Sequence, residues 1–151
     1  MQLNKVILGD IEKQKLVKCF KNEICHKNFC MFLTLSKIFC FSSEDALIYM
    51  DSWFLVISET KDFLQLEENL LVEILSRSSL LVTTEIEIYQ AADKWINYSL
   101  SEREKSSKRL LHKVRLPLLG EKTLKTILTE KSCFRKNKDS LAVVKNIEAK
   151  F

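Results

Sequence analysis

The sequence has 151 residues, 46% of them hydrophobic and 29% charged, with a net charge of +4; this is enough chain for one domain with its own core and too apolar for disorder. Two glycines and one proline are too few for the many tight turns of a sandwich or a propeller, so composition favours an all-α fold. The positive balance is mild and its lysines are interspersed with glutamates, unlike the one-sided basic stripe of a nucleic-acid binder.

Apolar residues recur at helical spacing almost throughout. Ile11, Leu16, Val17, Phe20 and Ile24 predict a first helix over about residues 10 to 25, and Phe29, Phe32, Leu33 and Leu35 a second over about 27 to 40. Ser43 offers an N-cap for a third, with Ala46, Tyr49, Met50, Trp53, Phe54 and Ile57 as its apolar stripe. The stretch TKDFLQL, residues 60 to 66, reads as a tight corner in which Asp62 caps the succeeding turn and Phe63 and Leu66 plug the core. A short helix with Leu70, Leu71, Ile74 and Leu75 comes next, then an extended link, SSLLVT.

The clearest helix begins at Thr84, where Thr84 and Glu87 have capping-box spacing. Behind the cap Ile88, Tyr89, Ala92, Trp95 and Ile96 fall within an arc of roughly 120°. Glu85 projects near the middle of that arc; a first-turn carboxylate is favoured by the helix dipole, and a buried ion pair with a cation such as Arg115 is the alternative. Ser101 and Glu104 repeat the capping-box spacing ahead of a helix ending in Leu110, Leu111 and Val114. Pro117 stops it and biases Leu116 toward extended backbone, with Leu118 and Leu119 covering the core. Further helices are expected from about Glu121 and around Leu141 to Ile147. The expected architecture is therefore all-α, with about eight helices packed as successive antiparallel hairpins. The densest basic run, Lys131 to Lys138, is expected to be a solvated loop, with contact to an acidic partner as the lesser alternative.

Signals for chemistry are missing. Gly9 and Gly120 stand alone, so there is no phosphate loop, and no metalloprotease spacing occurs. Cys25, His26 and Cys30 invite a zinc reading but lack a C-x2-C pair and a fourth ligand. The five cysteines (Cys19, Cys25, Cys30, Cys40 and Cys133) are expected to be reduced thiols packed as small hydrophobes. Trp53 and Trp95 are expected in the core rather than as stacking platforms for a ligand. The sequence-based expectation is no catalytic residue, no cofactor and no metal, with no nucleic-acid, membrane or small-molecule partner, and a cytoplasmic location with the nucleus as the other option.

One resemblance is specific. Leu75, Leu80, Val82, Glu85, Ile88, Tyr89, Ala91, Trp95 and Ile96, followed by Arg103, Leu110, Leu111 and the run Val114, Arg115, Leu116, Pro117, Leu118, Leu119, match without a gap the pattern L-x(4)-L-x-V-x-x-E-x-x-V-[FY]-x-A-x(3)-W-[VI] … R-x(6)-LL-x-x-VRLPLL. The chain thereby resembles the BACK domain, the helical module between the BTB domain and the kelch propeller of kelch-like proteins. Its signature positions would be Phe63, Leu66, Leu80, Val82, Glu85, Tyr89, Ala92, Trp95, Val114, Arg115 and Pro117. The sequence departs from the pattern at Ser78, where the family usually has Asp, at Thr83, often Pro, and at Phe29, where Asn-Cys is usual at the helix start.

The resemblance implies a non-catalytic linker of a substrate adaptor for a cullin-3 RING ubiquitin ligase, holding the BTB and kelch domains apart. It implies a remnant of a preceding BTB region over residues 1 to 12, a BACK domain over 13 to 130, and over 131 to 151 a helix leading toward a kelch propeller that this sequence lacks. Residues 10 to 40 would form the helix pair called the 3-box, which adds to the cullin contact. Phe29, Phe32 and Leu33 are the candidate contact residues there, with core burial as the competing fate. The alternatives are an interaction module of a cytoskeletal, actin-associated kelch-type protein, or a truncated adaptor with no ligase role.

Overall fold

The computed structural model describes residues 9–23, 25, 27–39, 44–129 and 133–150, and among them every regular element is helical. The chain divides into two units: residues 1–63 with 79–81, and residues 64–78 with 82–151.

The first unit contains α1 (Asp10–Glu23), α2 (Phe29–Phe39), α3 (Glu44–Ile57) and all but the last residue of the single turn α4 (Lys61–Leu64). Acidic residues open α1 and α3, where the free amides of a helix start favour negative charge. In front of α2, the Asn28 side chain accepts from the Cys25 amide at 2.8 Å. The Asn28 and Phe29 amides donate back to the Cys25 carbonyl, so the turn closes on itself. Helices α2 and α3 pack together, with Phe29, Phe32, Leu33, Met50 and Phe54 fully buried.

Two expectations for this unit are corrected. Trp53 is 45% exposed, not core. The buried face of α3 runs through Ala46, Leu47, Met50, Asp51, Phe54 and Ile57, which sets its centre toward Leu47 and Asp51 and leaves Tyr49 and Trp53 at the margin. Asp51 causes the shift: its carboxylate accepts from the Ser79 hydroxyl at 2.7 Å and its carbonyl from the Leu81 amide at 2.7 Å, which holds residues 79–81 on that side of the helix. Trp53 also leaves helical geometry (φ −119°, ψ 17°) and lies stacked near the Tyr49 ring, centroids 6.2 Å apart. At the corner, Thr60 replaces Asp62 as the cap. Its hydroxyl accepts from the Phe63 amide at 3.2 Å while donating to the Ile57 carbonyl at 2.7 Å. Phe63 and Leu66 are buried as expected.

The second unit contains α5 (Glu68–Leu75), α6 (Glu85–Tyr98), α7 (Leu100–Arg103), a 3-10 turn (Glu104–Ser106), α8 (Ser107–Leu111), a second 3-10 turn (Leu116–Leu119), α9 (Gly120–Thr129), α10 (Cys133–Lys136) and α11 (Lys138–Glu148). Helix α6 is its hub, packing against α8, α10 and the Leu116–Leu119 turn. Its buried residues include Ile88, Tyr89, Ala92, Trp95 and Ile96, the expected arc, with Ala91 buried beside it. The capping carboxylate is also as expected: Glu87 accepts from the Thr84 amide at 3.3 Å and from the Thr83 amide at 2.7 Å.

The helix expected from Ser101 to Val114 is broken into three short pieces. The serine–glutamate pair that forms is Ser99 with Glu102, at 3.0 Å, two residues ahead of the expected one. Arg103 and two buried serines account for the break. The Arg103 guanidinium is drawn inward, and Ser106 and Ser107 bond across the unit to Glu68 and Ser140, at 2.6 and 3.0 Å.

The basic run is not a solvated loop where it is described. Phe134 on α10 is buried 5.3 Å from the Tyr89 ring, and Cys133 donates to Asp93 from both its amide and its thiol. Asn137 then caps α11, accepting from the Asp139 and Ser140 amides at 3.0 and 3.1 Å. Lys131 lies outside the described residues.

Candidate functional site

Two signature residues of the second unit, Glu85 and Arg115, meet at one carboxylate. Glu85 begins α6 and is buried; its Oε1 accepts from the Arg115 backbone amide at 2.8 Å, and its Oε2 lies 3.6 Å from the Arg115 Nε. The guanidinium itself is half outside, its side chain 52% exposed. Arg115 adopts φ −78° and ψ 66°, and the Leu116 amide donates to the Val114 carbonyl at 2.9 Å. This is an inverse γ-turn. Its extra curvature presents the Arg115 N–H to Glu85. Val114 and Leu116 are buried, and Pro117, whose missing N–H costs nothing at a helix start, lies in the first turn of the 3-10 segment. Leu116, not Leu118, covers the core, since Leu118 is 69% exposed. Gly120 ends the stretch at φ 73°, a backbone region open chiefly to glycine.

A second node is built on Arg103. Its Nη1 donates to the Leu64 carbonyl at 2.7 Å and to the Trp95 carbonyl at 2.8 Å, and its guanidinium lies 3.9 Å from the Trp95 ring centroid. Trp95 donates from Nε1 to the Leu66 carbonyl at 2.9 Å. One cation and one indole thus tie the 64–66 segment to α6, and partial burial lowers the guanidinium pKa from its ordinary value. The family pattern marks Arg103 by its spacing to Leu110 and Leu111, but its role is not legible locally because its partner Leu64 is 39 residues away.

The remaining signature residues are structural in their placement: Phe63, Leu66, Leu80, Tyr89 and Ala92 are buried and Val82 is half-buried. Of the groups that invite a chemical reading, Glu85 accepts from the Arg115 amide and Trp95 donates to the Leu66 carbonyl. Among the described residues no group of three or more His, Cys, Asp or Glu is placed to hold a metal ion, and His26 lies outside them. Cys19, Cys25, Cys30 and Cys133 are free thiols, and Cys40 lies outside the described residues. Burial pushes the Cys30 thiol up to about 12, and burial with the Asp93 hydrogen bond raises that of Cys133 still further. Both shifts favour the neutral thiol over the thiolate.

The candidate contact residues on α2 face inward. Phe29, Phe32 and Leu33 are fully buried, because they occupy the side of α2 that packs on α3. Among the described side chains of α1 and α2, the exposed large apolar ones are Ile11, Met31 and Ile38.

These arrangements carry the pattern of a known module. A family model described as BACK, "BTB And C-terminal Kelch", matches residues 29–129. The chain belongs to the BACK family. Within the BACK family it is similar to Kelch-like protein 28 of Mus musculus, 34% identical over 100 residues that make up 66% of this chain and 15% of that protein. Kelch-like protein 28 of Homo sapiens is 40% identical over 76 residues, 50% of this chain and 13% of that protein. Kelch-like protein 7 of Rattus norvegicus is 29% identical over 103 residues, 68% of this chain and 17% of that protein. The chain therefore spans less than a fifth of these relatives' length. No helix among the described residues is long and apolar enough to cross a membrane.

Proposed function

We propose that this BACK chain is a non-catalytic linker of a kelch-like substrate adaptor, serving a cullin-3 RING ubiquitin ligase, with residues 10 to 40 adding to the cullin contact. In this reading residues 1 to 12 continue a BTB region, 13 to 130 form the BACK domain and 131 to 151 lead toward a kelch propeller, in a cytoplasmic protein. The observation that supports it is the distribution of exposed apolar side chains. Of the large ones among the described residues, Ile11, Met31, Ile38, Ile48, Trp53, Leu55, Val56 and Leu81 belong to the first unit, and only Tyr98 and Leu118 to the second. We read this concentration of exposed apolar side chains as surface offered to another chain. Met31 and Ile38 on α2 take the contact role first considered for Phe29, Phe32 and Leu33.

The test is a pull-down of cullin-3 by this segment, with and without an upstream BTB domain. Cullin capture enhanced by the segment, and lost when residues 10 to 40 are replaced or when Met31 and Ile38 become charged, is the expected result. No enhancement in any BTB context overturns the ligase role.

A further inference from the structure

A cleft of about 350 Å³ opens in the second unit, lined by Leu75, Ser76, Ser78, His112, Lys113 and Arg115. It joins the end of α5 to the residues just after α8, and it contains three basic side chains and no acidic one. Basic residues after a helix often serve only to complement its C-terminal dipole. Here that need is largely met by backbone: Ser76, Arg77, His112, Lys113 and Val114 amides already donate to the last carbonyls of α5 and α8. The side chains of Ser78, His112 and Lys113 have no partner among the described residues. Arg115 meets Glu85 through Nε, and its terminal amino groups are engaged by nothing among them. Ser76 donates its hydroxyl to the Val72 carbonyl, so Ser78 supplies the available hydroxyl donor.

We infer that this cleft is an oxyanion site for the phosphate group of a phosphorylated polypeptide segment. Lys113 and Arg115 less the one charge of Glu85 leave an uncompensated cation, and His112 and Ser78 add further donors. A tetrahedral dianion brings three terminal oxygens and two negative charges to Arg115, Lys113 and Ser78, against the two oxygens and single charge of a carboxylate. The cations are gathered at one concavity floored by buried Leu75, not strung along a stripe, which fits a single phosphate beside a side chain and not a nucleic-acid backbone. The inference is independent of any cullin contact.

Titration of the full chain with O-phosphoserine, followed in amide nuclear magnetic resonance spectra, tests it against glutamate at matched ionic strength. Saturable shifts at residues 76–78 and 112–115 are expected, with half-saturation at a concentration about tenfold lower than for glutamate. Lys113→Ala raises that concentration about tenfold, and Ser78→Asp, which sets a carboxylate on the rim, removes saturation. Glutamate saturating as readily, shifts spread without saturation over the surface lysines, or titrations unchanged in both variants overturn the inference. Retained helical circular dichroism in the two variants separates lost binding from lost fold.

Discussion

Glu85 holds Arg115 by its backbone more closely than by its charge: the carboxylate accepts the Arg115 amide at 2.8 Å and stands 3.6 Å from the guanidinium Nε. A buried ion pair would make loss of either residue cost on the order of 3–5 kcal/mol. The geometry separates the two. Glu85→Ala strands a backbone donor in the γ-turn and is expected to cost about 1–3 kcal/mol. Arg115→Ala removes a screened, half-exposed charge and costs about 0.5–1 kcal/mol. Urea unfolding of the two variants measures the difference; equal losses would show that the charge pair dominates.

Arg103 carries more than Arg115. Its removal leaves the Leu64 and Trp95 carbonyls without their donor and strips a cation from the indole face. Arg103→Ala is expected to destabilise by about 2–4 kcal/mol. Arg103→Lys recovers only part, because an ammonium lacks the planar fork. Thermal unfolding, with the fluorescence of buried Trp95 as a local reporter, checks both.

Adjacent residues of α2 should behave oppositely. Phe32 is fully buried and Met31 exposed. Phe32→Ala is expected to cost about 3–5 kcal/mol, and Met31→Asp under about 0.5 kcal/mol. If Met31→Asp leaves stability intact and abolishes cullin capture, the surface reading of α2 holds; equal destabilisation by both would place Met31 in the core.

The thiols differ in their response to alkali. Cys19 is exposed, whereas burial first and the Asp62 charge second push the Cys30 thiol up from its ordinary 9.0 to about 12. At pH 8 a thiol-specific reagent should modify Cys19 rapidly and Cys30 only as the chain opens. The raised folded-state value means that the neutral thiol favours the fold. Its contribution is whole below pH 9 and is lost as pH rises from 9 toward about 12. Cys30→Ala should flatten the stability profile across that window.

Much of the fold is legible in the residues themselves. The arc of α6, its Glu87 cap and the core roles of Phe63 and Leu66 follow from periodicity, cap chemistry and the family pattern, whereas Arg115 is only one candidate partner for Glu85 until the fold brings its amide to the carboxylate. Trp53, Leu118 and the Ser101 cap depart from that reading, each through a contact made elsewhere in the fold. Ser79 and Leu81 bond to Asp51 and turn α3, Leu116 takes the core position expected of Leu118, and Arg103 reaches 39 residues back to Leu64.

Helical class, family and the identity of most buried arcs are thus set by residue order alone, because they depend on spacings within a few turns of chain. It took the folded molecule to establish which side of α3 faces inward, that Glu85 secures an amide more closely than a cation, and that three basic residues share one cleft. Those outcomes depend on where distant donors, acceptors and charges come to rest, and short-range periodicity carries no information about that.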